Sequence, residues 1–215
     1  MEPAPRSSLL RNPWIWAFLL GCATLTALRP LLRYEPAPPP VLWALPAYAL
    51  TDAQGRPFGS AELAGKVYVV DFFFTRCASI CPRLTEAMAR LQERYEREGV
   101  EGVRLVSISV DPEGDTPERL ADYARQHGVH PERWTLLTGA PDAVHALVAG
   151  GFKTALGDAA PLGDGLIDIA HSGKLFLVDG AGRVRGLYDH DALGLDEVFH
   201  RSRHVLREPR GRLLQ

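Results

Sequence analysis

The chain has 215 residues, 46% of them hydrophobic, and a formal net charge of −2. These values suit one globular domain plus a tail, and no basic stripe with interleaved aromatics points to nucleic acid. Three cysteines are too few for a disulfide scaffold, and no repeat of fixed period is visible.

Residues 1–12 are expected to form a cytoplasmic N-terminus. Pro13 to Leu28 is apolar, with Arg6 and Arg11 before it and Arg29 and Arg33 after it. Leu31 and Leu32 can extend it, so residues 13–32 are expected to be a single transmembrane anchor or a signal-like segment, with the arginines snorkelling. A lipoprotein signal is the alternative, because Leu19-Leu20-Gly21-Cys22 resembles a lipobox with Cys22 acylated. Against that, the residues after Cys22 stay apolar through Leu28. A cleaved secretory signal or a buried helix is the third reading. Two arginines on each side do not orient the segment. The bulk of the chain is placed at the cell membrane, facing the periplasm or exterior, because signal-like segments lead there. Residues 33–47 include Pro36, Pro38, Pro39, Pro40 and Pro46, which reads as a stiff extended linker.

Residues 48–208 carry the domain. Tyr48 to Phe58 reads as a hairpin turning at Asp52-Ala53-Gln54-Gly55. Val67 to Phe74 is a short, β-branched and aromatic run, hence a buried strand. A helix follows over roughly 82–98, with Leu84, Met88, Leu91 and Tyr95 on one face and Gly99 and Gly102 as stops. Val103 to Val110 is a second strand. Thr116 with Pro117 caps the next helix, which ends near Gly128. Trp134 to Leu137 is a third strand and Pro141 to Val148 a short helix. Residues 153–165, rich in Gly, Ala, Asp and Pro, read as a surface loop. Lys174 to Val178 and Val184 to Tyr188 form a hairpin through Asp179-Gly180-Ala181-Gly182, and Leu195, Val198 and Phe199 mark a last helix. This order fits an α/β fold of the thioredoxin-like kind, a central mixed sheet flanked by helices.

The chemistry sits at Asp71-Phe72-Phe73-Phe74-Thr75-Arg76-Cys77-Ala78-Ser79-Ile80-Cys81-Pro82. Cys77 and Cys81 stand where the buried strand turns into a helix, whose N-terminus is expected to lower a nearby thiol pKa. Such a pair can exchange a disulfide or clamp a soft metal. Three intervening residues, where a thioredoxin-type dithiol has two, let both sulfurs point at one ion. Of seven histidines, His127, His130, His145, His190, His200 and His204 read as surface or capping residues. His171 precedes the strand Lys174–Val178, in the loop that faces the cysteine junction in thioredoxin-like folds. Two thiolates and an imidazole suit Cu(I), and imidazole also accepts Cu(II); zinc usually takes a fourth ligand or water.

The stretches VDFFFTRCASICP, SVDPEGDTPERL and HSGKLFLVDGAGRVRGLYD resemble the Sco (SenC/PrrC) family of copper chaperones, over roughly residues 45–206. The resemblance implies a membrane-anchored thioredoxin fold that binds copper through Cys77, Cys81 and His171. It also implies a role in assembling the dinuclear copper centre of cytochrome c oxidase, with the copper-bearing oxidase subunit and a copper donor as partners. Many members have Asp directly before the His; here Ala170 stands there and Asp168 lies three back. Asp111 and Asp115 are expected either to tune copper affinity or meet a partner, or to serve turn and N-cap chemistry. The rival reading is an extracytoplasmic thiol–disulfide oxidoreductase using Cys77 and Cys81 on cysteines of the oxidase or another exported protein. A thioredoxin-like peroxidase is weaker, since no Pro-x-x-x-Thr-x-x-Cys pattern surrounds Cys77.

Overall fold

The computed structural model describes residues 12–32, 37–77, 80–157, 160–163, 166–169 and 172–208. It has two compact units, Met1–Ala37 and Pro38–Gln215.

In the first unit, α1 spans Pro13–Leu32. Asn12 sets its start: the side-chain oxygen accepts the Trp14 N–H at 3.0 Å, and Pro13 takes the first helical position. The hydroxyls of Thr24 and Thr26 donate to the carbonyls of Leu20 and Cys22, each at 2.8 Å. Trp14, Trp16, Phe18, Leu20 and Leu25 are exposed. Among the described residues, no helix is long and apolar enough to cross a membrane. That leaves the transmembrane anchor expected over residues 13–32 unsupported. The segment is helical, but Gly21, Thr24, Thr26 and Arg29 dilute its apolar character.

The second unit is built on an eight-stranded mixed sheet. Its strands are β1 Trp43–Ala44, β2 Ala49–Asp52, β3 Pro57–Gly59, β4 Val67–Phe73, β5 Val103–Ser109, β6 Trp134–Thr138, β9 Leu175–Val178 and β10 Arg183–Tyr188, in the order β1-β10-β9-β4-β5-β6-β2-β3. A separate two-stranded sheet pairs β7 Ala160–Gly163 with β8 Leu166–Asp168, where a surface loop was expected over 153–165. The helices are α2 Cys81–Arg97, α3 Pro117–Gln126, α4 Pro141–His145 and α5 Ala192–Arg207. β4 pairs parallel to β5 and β5 parallel to β6, while β9 runs antiparallel to β4.

Two successive crossovers, β4-α2-β5 and β5-α3-β6, step the same way across the sheet. Right-handedness therefore puts α2 and α3 on one face. A hydrogen bond between Thr85 of α2 and the Tyr123 hydroxyl of α3, at 2.7 Å, joins them, and Tyr95 of α2 meets Ser202 of α5 at 2.7 Å. The path then reverses through α4, which covers the other face. The helix expected over 141–148 becomes a π-helical turn over Ala146–Gly151. The wider turn brings Leu147, Val148 and Phe152 onto the core together, and Phe152 packs edge-on to Phe72 and Phe176, both at 5.1 Å. With both faces covered, every residue of β4 is buried, which is why its sequence is a continuous apolar run. Helix α2 stops at Gly99 (φ 60°), where Val100 N–H reaches back to the Tyr95 carbonyl at 2.8 Å.

Residues 39–45 lie along the domain edge. Leu42 and Leu45 N–H donate to Val184 and Gly182 carbonyls at 2.8 Å each, flanking β1. Arg185, only 4% exposed, is the anchor. Its guanidinium donates to the Pro39 carbonyl (2.9 Å from Nε), to buried Asp179 (3.0 Å) and to Glu208 just past α5 (2.6 Å). One side chain thus ties three distant segments. Arg185→Met should destabilise the protein by about 3 kcal/mol, because it strands buried acceptors. Urea unfolding checks this; a loss below about 1 kcal/mol, the range of surface pairs, would contradict the anchor role.

Candidate metal centre

The end of β4 and the start of α2 form one tight structure. After Phe74 the chain turns, with Cys77 N–H donating to the Phe74 carbonyl at 3.3 Å. Helix α2 begins at Cys81, with Ile80 at its N-cap and Pro82 in its first turn. Ile80 has no side-chain acceptor to offer the helix. The Cys81 N–H donates instead to Cys77 Sγ at 3.4 Å, so the sulfur of one cysteine caps the helix that carries the other. Both are thiols, Cys77 9% and Cys81 1% exposed.

Burial pushes the Cys81 thiol well up, and its hydrogen bond with Cys77 adds to this. The expectation that the helix N-terminus lowers the thiol pKa is therefore corrected for Cys81. Loss of solvation outweighs the helix dipole where water is excluded. A metal taken up here must displace that proton.

The two residues before Cys77 are fixed by the loop after β5. Asp115, fully buried, accepts from Thr75 N–H at 3.1 Å, from Thr75 Oγ1 at 2.5 Å and from Ser109 Oγ at 2.6 Å. Burial pushes its carboxyl up, against those three donors. Asp111 Oδ2 accepts from Arg76 Nε at 3.0 Å and Nη2 at 2.6 Å. Thr116 Oγ1 caps α3 by accepting from Arg119 N–H at 3.3 Å. The two aspartates thus bond to the cysteine loop, and the capping role falls to Thr116.

Beneath the junction lies Asp71. Its Oδ1 accepts from Ser107 Oγ at 2.5 Å, and Ser107 accepts from Trp134 Nε1 at 2.8 Å. Its Oδ2 is buried without a hydrogen-bond partner. Burial pushes its carboxyl up to about 7. Neither Asp71 nor Arg76 was singled out in the sequence. The signal for Asp71 was legible: a carboxylate inside an apolar strand breaks the burial rule and marks a special site. The partner of Arg76 was not, since Asp111 lies 35 positions away.

The loop before β9 meets the cysteine turn. A Cβ on Gly173 would come within 2.7 Å of Ile80 Cδ1, the residue just before Cys81. His190, read from the sequence as a surface or capping residue, bonds the Gly173 carbonyl through Nδ1 at 3.0 Å. The expected third ligand, His171, lies outside the described residues, as does Ala170. The backbone of Asp168 pairs with Ala160 at the end of β8. Among the described residues, no group of three or more His, Cys, Asp or Glu could hold a metal ion. A cavity of about 280 Å³ lined by Arg56, Phe58, Arg125 and Trp134 touches neither cysteine.

The family model described as SCO1/SenC matches residues 44–207. The chain belongs to the SCO1/SenC family. Its mixed sheet with flanking helices is the thioredoxin-like fold of that family. A SCO1/SenC family lipoprotein from Bacillus anthracis matches at TM-score 0.69 and 30% identity, over 76% of this chain and 95% of its own. BsSco, described as having a disulfide switch and as a member of the Sco family of cytochrome c oxidase assembly proteins, matches at TM-score 0.69 and 25% identity, over 81% and 100%. Arabidopsis thaliana ScoI, with copper bound, matches at TM-score 0.61 and 28% identity, over 74% and 98%.

Asp71 generates a pH prediction. The folded carboxyl keeps its proton up to about 7, whereas the unfolded one loses it near 3.8. Between those values the unfolded state binds fewer protons, so stability falls as pH rises and levels off above 7. Asp71→Asn should remove this slope. The metal-free variant should match the parent near pH 4 and exceed it by a few kcal/mol at pH 8, measured by urea unfolding. Parallel stability profiles for the two proteins would contradict the assignment.

Proposed function

We propose that this chain is a copper metallochaperone. It binds copper through Cys77, Cys81 and His171, and delivers it to the dinuclear copper centre of cytochrome c oxidase after receiving it from a donor protein. The observation that carries the reading is the pairing of Cys77 and Cys81 at the β4–α2 junction, one sulfur 3.4 Å from the other residue's N–H, in a member of the SCO1/SenC family. Two sulfur donors in a largely dry setting suit the soft Cu(I) ion. Support for copper comes from the copper-bound Arabidopsis relative. Support for His171 comes from the neighbouring Gly173, which abuts Ile80. Without metal, thiol–disulfide exchange oxidises the same thiols to a disulfide while a partner disulfide is reduced to its dithiol, in keeping with the disulfide switch of BsSco. Loading releases the Cys81 proton, so copper affinity rises with pH.

Residues 48–208 act as the copper-binding domain, and residues 13–32 hold it at a membrane with the domain outside the cytoplasm. The exposed Trp14, Trp16, Phe18 and Leu20 give α1 a surface for lipid. The lipoprotein status of the Bacillus anthracis relative supports attachment, and Cys22 is exposed on α1. The chain should sediment with membranes. Mass spectrometry of its mature N-terminus separates an acylated Cys22 from an uncleaved helix, and recovery of the whole chain from the soluble fraction would contradict attachment.

The second reading, a thiol–disulfide oxidoreductase, is favoured by the contact between the two thiols. A dithiol enzyme needs no imidazole, whereas a copper site does. Cys77→Ser and Cys81→Ser should each abolish tight copper binding, since an alcohol stays protonated near neutral pH. His171→Ala should weaken Cu(II) severely and Cu(I) less, leave the dithiol–disulfide couple working, and block oxidase assembly in cells. Normal assembly with His171→Ala, while both cysteine variants block it, would replace the chaperone by the reductase.

A further inference from the structure

Thr75, Arg76, Ser109, Asp111 and Asp115 form a closed circuit. Asp115 bonds Thr75 through both backbone and hydroxyl, and Ser109 donates to Asp115 at 2.6 Å. The Ser109 hydroxyl in turn accepts the Asp111 N–H at 3.1 Å, and Asp111 holds Arg76 by a fork of two N–H donors. Asp111 is braced from its other side, where Oδ1 accepts the Gly114 N–H at 3.2 Å. The guanidinium lies over Gly114 so closely that a Cβ there would come within 2.5 Å of Arg76 Nη2 and would also collide with the Asp111 carboxylate. Both carboxylates are at least nine-tenths buried, Asp111 7% and Asp115 0% exposed. Along the chain, Arg76 is followed directly by Cys77.

We propose that Asp111 and Asp115 are positioning residues for Cys77. By fixing Thr75 and Arg76, they hold the Cys77 sulfur over the α2 N-terminus, where it takes the Cys81 N–H. Any product that needs the two sulfurs together then forms without first ordering the loop, and this covers both a shared metal ion and a disulfide. The inference rests on the proposed copper site for its metal half; its disulfide half stands without copper.

The test uses the full-length chain and the variants Arg76→Ala, Asp111→Asn, the double variant and Gly114→Ala. Cu(I) affinity is measured by chelator competition. The metal-free dithiol–disulfide equilibrium is measured against a dithiothreitol redox buffer. Each single variant should weaken Cu(I) by about 10–100-fold, the range seen when groups supporting a metal ligand are removed. Each should also shift the couple about tenfold toward the dithiol, or about 30 mV. The double variant should lose no more than either single, because Arg76 acts through Asp111. Gly114→Ala should reproduce the loss with every charge retained. Arg76→Lys should recover part of it, keeping the charge without the fork. A merely structural pair would change unfolding stability and leave the redox equilibrium alone, and that result overturns the proposal. So do additive losses in the double variant. If the parent chain fails to bind copper, the chaperone reading falls; the shift of the couple in the variants still decides for or against positioning.

Discussion

The site depends on a strand that is covered on both faces. β4 is buried from Val67 to Phe73, with α2, α3 and α5 on one side and Phe152 beside Phe72 on the other. Such a strand holds its direction to its last residue, so the turn that follows starts from a fixed point. At the start of α2 the Cys81 N–H donates to the Cys77 sulfur. Sheet coverage, helix capping and sulfur placement are therefore one structural event. Removing any part would loosen the others.

Burial also sets the chemistry. Water is scarce at Cys81 and Asp71, and both hold their protons more tightly than in solution. A buried thiol is inert until it loses its proton, and coordination of a soft metal drives that loss. Cys77, at 9% exposure, lies nearer the surface than Cys81, at 1%.

Much of this was legible in the sequence, because the strongest signals are local. The apolar run of β4, the Thr116-Pro117 cap and the hairpin at Asp179-Gly180 each follow from neighbours in the chain, and they fix the α/β order. The cysteine spacing and Pro82 marked the junction for the same reason. What was missed depends on distance. The ring of hydrogen bonds from Thr75 and Arg76 to Asp111 and Asp115 spans one helix, α2, and one strand, β5, and no periodicity reports it. The π-helical turn at Ala146–Gly151 answers to the core around Phe72 and Phe176 rather than to its own propensity. The direction of the Cys81 shift was misread because a helix terminus is visible in sequence, whereas its desolvation is not.

The central claim is that two sulfurs from the β4–α2 junction and one imidazole share a single copper ion. X-ray absorption spectroscopy of the full-length chain loaded with one equivalent of Cu(I) measures that coordination directly. Two sulfur scatterers and one imidazole nitrogen per copper are expected. A shell of nitrogen and oxygen alone, or one holding a single sulfur, would contradict the claim.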